Sequence, residues 1–243
     1  MPIIALQGLR GGSGATSLTA ALAWALSSLN ASVLAIDFCP INQLRLHFNT
    51  PREETRGWAQ AIHQGGDWQG SALRYMPGLD FLPFGELSDD AVSAFEAQSD
   101  TALGPWPDRL RQLSSDYRWI LLDVPAENSR WSRQASGLAD LVLRVIVPDA
   151  NTHLRLHQRP FSGNTRFVIN QYNTHSRTHQ DLQQLWLSIV SPLLPVMVHR
   201  DEALAEALLI KQPIGEYRPH SLAAEEVNTL ANWLRVHASG SDA

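Results

Sequence analysis

Residues 7–17 read Gln-Gly-Leu-Arg-Gly-Gly-Ser-Gly-Ala-Thr-Ser, between an apolar run, Ile3-Ile4-Ala5-Leu6, and a helix-like run from Leu18 to Leu29. A strand that turns through glycines straight into a helix is the opening unit of a doubly wound α/β sheet. The same turn gathers backbone N–H groups at the positive end of a helix, an arrangement that holds anions. Gly11, Gly12 and Gly14 are expected to take positive φ and to let a ligand approach the backbone closely.

The remainder of the chain repeats this alternation. Short runs at 3–7, 32–37, 79–82, 119–123, 141–147, 167–170 and 194–198 are apolar on both faces, as in a parallel sheet covered by helices. Helical patterns lie at 16–29, 57–64, 91–98, 108–114, 181–189 and 202–211, and a last one runs from Ser221, a good N-cap, to about His237. The prediction is an α/β fold in one domain, residues 1–243, with a doubly wound, mostly parallel sheet flanked by helices. Segments 99–107 and 171–180 are read as surface loops and 239–243 as a loose tail. In the last helix Val227, Leu230, Ala231 and Leu234 form one apolar stripe. Its polar face carries little basic charge before Arg235, so the stripe is read as core and not as a membrane-surface face.

Composition removes several classes. The chain carries 24 acidic and 19 basic residues, a balance that argues against non-specific nucleic-acid binding. Cys39 is the single cysteine, which excludes an intramolecular disulfide, a four-cysteine metal site and a two-cysteine cluster site. The N-terminal apolar stretch has no basic region before it and no apolar run approaches the ~20 residues of a membrane span, so a cytosolic compartment is expected.

Thr16 is placed for a magnesium ion and Ser17 for an α-phosphate, but the lysine that ordinarily precedes them is replaced by Ala15. Losing one charge-assisted contact costs about 1.5–3 kcal/mol, and Arg10 is the candidate replacement. Two other readings stay open at this level. A ligand-free turn would serve a scaffold. A Rossmann dehydrogenase would use Asp37 for a ribose, but the loop lacks the third glycine, and neither Tyr172 nor Tyr217 is followed by lysine four residues on.

The stretch Arg-Gly-Gly-Ser-Gly-Ala-Thr-Ser, 10–17, resembles the deviant phosphate loop of the MinD/ParA ATPases, K-G-G-x-G-K-[ST]-[ST]. Three further stretches agree in order and spacing: Ala-Ile-Asp-Phe-Cys-Pro at 35–40, Trp-Ile-Leu-Leu-Asp-Val-Pro at 119–125, and Phe-Val-Ile-Asn at 167–170. The resemblance implies ATP and Mg2+ as cofactors, with Arg10, Gly11, Gly12, Ser13, Gly14, Ala15, Thr16 and Ser17 around the phosphates. It further implies Arg10 reaching across a homodimer that sandwiches ATP, Asn170 on adenine, and Thr16, Asp37 and Asp123 around the metal. Within that family, the stretches D-x-C-P-x-N-x-L-R-L-x-F-N, D-A-N-x-H-x-R-L-H-Q and K-Q-P-I-G-E-Y-R look like the BcsQ branch of bacterial cellulose secretion. That branch implies a cytoplasmic regulator, peripheral to the inner membrane, at the cellulose synthase complex. A BcsR-like small partner and a BcsE-like accessory protein come with it. Nucleic acid is not among the implied partners, and the membrane is met only through them.

The sequence departs from the family at two positions that serve hydrolysis, Ala15 for lysine and Cys39 for the second acid. Asp37 is then the one candidate left for catalysis, and ATP is expected to be bound and turned over slowly or not at all. Cys39 itself is read as a small residue beside the site. His153 and His157 have metal-ligand spacing but are read as surface residues. Asp149 and Asp201-Glu202 begin helical segments and are weak candidates near adenine or the dimer face. Of the eight tryptophans, most are expected in the core and some as exposed anchors for a partner.

Overall fold

The computed structural model describes residues 1–158 and 160–238; the predicted tail at 239–243 lies outside them. Eight strands form a sheet: β1 (Ile3–Gly8), β2 (Val33–Asp37), β3 (Leu73–Met76), β4 (Leu79–Leu82), β5 (Trp119–Val124), β6 (Leu141–Ile146), β7 (Thr165–Tyr172) and β8 (Leu193–His199). Their order is β3-β4-β2-β5-β1-β6-β7-β8, and every neighbouring pair is parallel except β3 with β4. The order turns about β1, with β5 on one side and β6 on the other. In open α/β sheets such a switch point leaves a crevice beyond the carboxyl ends of the strands.

The helices are α1 (Ala15–Ser28), α2 (Trp58–His63), α3 (Asp89–Ala97), α4 (Ser99–Leu103), α5 (Trp106–Gln112), α6 (Arg130–Ser136), α7 (Ala150–Leu156), α8 (Arg177–Ile189), α9 (Glu202–Ile210), α10 (Ile214–Tyr217) and α11 (Leu222–His237). α1 and α11 pack together on one face, and the predicted stripe Val227, Leu230, Ala231 and Leu234 is buried there with Leu18, Leu22 and Leu26. The other face carries an aromatic cluster of Phe38, Trp58, Phe84, Phe95, Trp106 and Trp131, packed mostly edge-on or tilted, with Trp58 and Trp131 parallel. Two of its indoles hold the chain at the end of β2, with Trp58 Nε1 donating to the carbonyl of its last residue, Asp37, at 2.7 Å and Trp131 Nε1 to that of Phe38 at 2.8 Å.

Several expectations need correction. Segment 99–107 is not a loop, since α4 and the start of α5 occupy it and Ser99, Ala102 and Leu103 are buried. Within 171–180, β7 continues to Tyr172 and α8 begins at Arg177, capped by Ser176, so only 173–176 connect them. The sequence reading also lacks β3, α6 and α10. β3 is a half-exposed edge strand, and α10 spans four residues, too short to show a period. None of the eight tryptophans is exposed: Trp24, Trp68 and Trp233 are half-buried and the others buried, so there is no exposed tryptophan anchor.

Candidate functional site

A cavity of about 510 Å³ opens beyond the carboxyl ends of β1, β2 and β5, and residues 10–17 form one wall of it. The loop leaves β1 at Gly8 and enters α1 through its N-cap Gly14, which is left-handed at φ 84°. Gly14 is also crowded: a Cβ there would lie 2.5 Å from Asn170 Nδ2. Gly12 is left-handed too, at φ 74°, whereas Gly11 is not, which corrects the expectation of positive φ at all three. A Cβ on Gly11 would meet nothing within 4 Å, so this chain's own atoms do not require glycine there.

From the far wall, β7 braces the loop. Asn170 Nδ2 donates to the Ser13 carbonyl at 2.7 Å and Gln171 Nε2 to that of Gly12 at 2.8 Å. Asn170 Oδ1 is buried and has no partner among the described residues. Arg10 does not point into the cavity freely. Its Nε and Nη2 donate to Asp149 Oδ2 at 2.9 and 2.6 Å, and its Nη1 to the Gly11 carbonyl at 2.8 Å. Asp149 in turn caps α7, accepting from Thr152 N at 2.7 Å.

Asp37 and Asp123 sit side by side in the β2–β5 register, fully buried just behind the floor that Cys39 and Val124 line. Asp37 accepts from Cys39 N at 2.8 Å and from Leu44 N at 3.1 Å, so both of its oxygens are engaged. Asp123 Oδ2 has no partner among the described residues. Burial, and then the charge of Asp123, holds Asp37 well above the ordinary carboxylate range. Burial also pushes Asp123 up to about 7, against the hydroxyls of Thr16 and Thr19. Two adjacent desolvated acids, one with an orphaned oxygen, form a hard-oxygen donor set beside the Thr16 hydroxyl. That chemistry suits Mg2+. The Cys39 thiol is driven up by burial and by both acids, so it stays protonated and offers no base or thiolate.

The fold adds residues that sequence reasoning missed. His47, in the turn Leu44–Phe48, reaches the cavity wall with Nε2 3.5 Å from Ser17 Oγ, and burial lowers its pKa to about 4, so it is neutral. Arg200 lines the opposite side and forms no ion pair among the described residues. Both lie far from the loop in sequence, and only the fold brings them to it. The chain's one lysine, Lys211, ends α9 and is not part of the wall. Asp201 and Glu202, the weak candidates, both line the cavity, and Asp201 also caps α9 through Ala203 N at 2.9 Å and holds Ala223 N at 3.1 Å. His153 Nδ1 accepts the Trp186 indole N–H at 3.2 Å, which accounts for that histidine without a metal.

The arrangement as a whole has relatives. The MinD cell-division protein of Pyrococcus horikoshii, solved with Mg-ADP, superposes with a TM-score of 0.78 at 20% identity, over 100% of this chain and 98% of that one. The cellulose biosynthesis protein BcsQ of Escherichia coli K12 is 45% identical and that of Salmonella typhi 47% identical, each over 99% of this chain and 96% of the relative. The family model described as cellulose biosynthesis protein BcsQ matches residues 1–234. With a MinD/ParA-type sheet, a lysine-free glycine loop and near-complete coverage by such relatives, the chain belongs to the BcsQ family of cellulose biosynthesis proteins.

Proposed function

We propose that this chain binds Mg-ATP, dimerises in response to it, regulates cellulose synthesis at the inner-membrane synthase, and hydrolyses ATP slowly or not at all. The observation that carries the reading is the convergence of three features. They are a glycine loop that walls a cavity of about 510 Å³, a buried acid pair with an orphaned oxygen, and the absence of a loop cation at Ala15. A scaffold that had lost its ligand would gain nothing by keeping two adjacent desolvated carboxylates, which oppose folding while charged.

The loop N–H groups from Gly12 to Ser17 hold the phosphates, and Gly11 lets them approach. Thr16 and Asp123 would hold the metal, and Asp37, whose oxygens accept from the Cys39 and Leu44 N–H groups, would orient water beside it. Magnesium, when bound, neutralises phosphate charge and relieves the acid pair. Asn170 offers Oδ1 to the adenine. With Ala15 in place of a cation and a protonated Cys39 in place of a second acid, the transition state lacks stabilisation worth several kcal/mol. The structure solved with Mg-ADP supports this ligand class. Attachment to the synthase through a BcsR-like small partner and a BcsE-like accessory protein belongs to the proposal. No described helix is long and apolar enough to cross a membrane.

The test is to purify the protein with excess Mg-ATP, strip free nucleotide, denature it and identify what was retained. Retained ATP is the expected result. Retained ADP overturns slow turnover, and no nucleotide overturns the binding reading.

A further inference from the structure

A second cavity, about 550 Å³, lies on the α6 and α7 side of β1 and β6. Its walls carry three guanidiniums, Arg133 from α6, Arg144 from β6 and Arg155 from α7, and no carboxylate among the described residues. None of the three forms an ion pair there. Among the described residues the Arg133 guanidinium donates only to Asn128, at 3.1 Å to its carbonyl and 3.2 Å to its side chain, and Arg155 Nε donates to Asn151 Oδ1 at 2.8 Å. Arg144 interrupts the otherwise apolar β6, donates Nη1 to Gln7 Oε1, and leaves its Nε buried without a partner. Burial lowers its pKa to about 10, so it remains cationic near neutral pH.

A buried cation without a counter-ion is unfavourable, and the natural completion of this site is an anion. Three planar donor forks match an oxyanion with several oxygens better than a carboxylate with two. The cavity is as large as the first one, with room for an organic group, and the Phe161 ring beneath Arg144, 5.7 Å from its guanidinium carbon, gives that group an apolar face. We propose that this cavity is a second ligand site, which binds a small organic phosphate through Arg133, Arg144 and Arg155.

The site is wired to the phosphate loop. Gln7 Oε1 accepts from Arg144 and, at 2.8 Å, from Ser136, while Gln7 Nε2 donates to the Pro125 carbonyl at 2.6 Å, two residues past Asp123. Gln7 itself runs directly into the loop. Ligand on Arg144 therefore pulls on both the strand that launches the loop and the segment that follows the buried acid.

The experiment is calorimetric titration of inorganic pyrophosphate into the full chain carrying Ala15→Glu, which places a negative charge in the phosphate loop and silences that site. The expected result is one remaining binding event, weakened tenfold or more by Arg144→Gln and by the double change Arg133→Gln/Arg155→Gln. Both residues of the double change are exposed, so it decides the test irrespective of whether Arg144→Gln folds. No binding in the Ala15→Glu protein, or binding indifferent to Arg133→Gln/Arg155→Gln, overturns the site. A hexaglutamate peptide that binds with the same arginine dependence while pyrophosphate is silent also overturns it, in favour of an acidic protein segment.

Discussion

Gly11 and Gly14 stand in one loop for different reasons, and single substitutions separate them. Gly14 is left-handed with Asn170 against it, so Gly14→Ala should cost at least ~1–2 kcal/mol of stability from the backbone alone. Gly11→Ala meets nothing and should leave the unfolding midpoint unchanged while weakening Mg-ATP binding. A Gly11→Ala protein that binds Mg-ATP as wild type does would remove the close-approach role of that residue. The buried titratable groups make a second prediction. Asp37 and Asp123 have folded pKa values above the ordinary 3.8, so their contribution to stability is present at low pH and is lost as pH rises toward and past 7. His47, lowered from 6.5 to about 4, works the other way, its contribution being lost as pH falls from 6.5 to 4. The two effects oppose each other below pH 6.5, and above it only the acids still titrate among these three. The metal-free protein should therefore melt at lower temperature at pH 8 than at pH 6.5. Asp123→Asn should flatten that slope while abolishing Mg-dependent nucleotide binding. A wild-type melting curve equally steep in Asp123→Asn would show that the acid pair is not its source.

At the scale of elements, the aromatic cluster behind β2 connects core packing to the site. Trp58→Phe leaves the buried Asp37 carbonyl without its donor, for a cost of about 1–3 kcal/mol, and loosens the backbone that carries the acid. Trp186→Phe removes an indole bond of the same kind, to His153, away from the cavity wall. Both variants should lose comparable stability in denaturant unfolding, and only Trp58→Phe should also lose Mg-ATP affinity; equal affinities in the two would break the link. This division matches what the sequence could show. The seven strands read from it are all present, because each is a mainly apolar run, and the loop, Asp37, Asp123 and Asn170 are legible as places because each lies at or within two residues of a strand end. β3 was hidden because an edge strand needs burial on only one side: Leu73 and Tyr75 pack on the core while Arg74 pairs with Asp80. α4 and α10, at five and four residues, show no helical period, and α6 is marked mainly by its Ser129 cap. His47, Arg200 and the arginine-lined cavity were illegible for another reason, being assembled from segments far apart in sequence.

At the scale of the whole molecule, the single chain holds Arg10 in a bond that a dimer would have to break. On the proposed reading Arg10 would cross to the partner's nucleotide, yet in the single chain it is clamped on Asp149, with side chains 26% and 33% exposed. An ion pair this open is worth little by itself, and the competition is between Asp149 and a phosphate for the same guanidinium. Nucleotide on a second copy would offer more negative charge than one carboxylate, so on the proposed reading the exchange should favour the dimer only when ATP is present. Asp149 also caps α7, so its release of Arg10 leaves the helix capped through the Thr152 bond. The two ends of the pair should then respond in opposite directions. Arg10→Ala removes the charge proposed to replace the missing lysine and should weaken ATP-dependent dimerisation about 10–100-fold, the value of one charge-assisted contact. Asp149→Asn keeps an oxygen for the cap, frees Arg10 and should strengthen dimerisation with ATP without producing dimers in its absence. Sedimentation of both variants with and without Mg-ATP measures this directly. If Arg10→Ala dimerises with ATP as wild type does, Arg10 has no role in trans. If Asp149→Asn weakens the dimer, Asp149 is part of the interface and not a restraint on it.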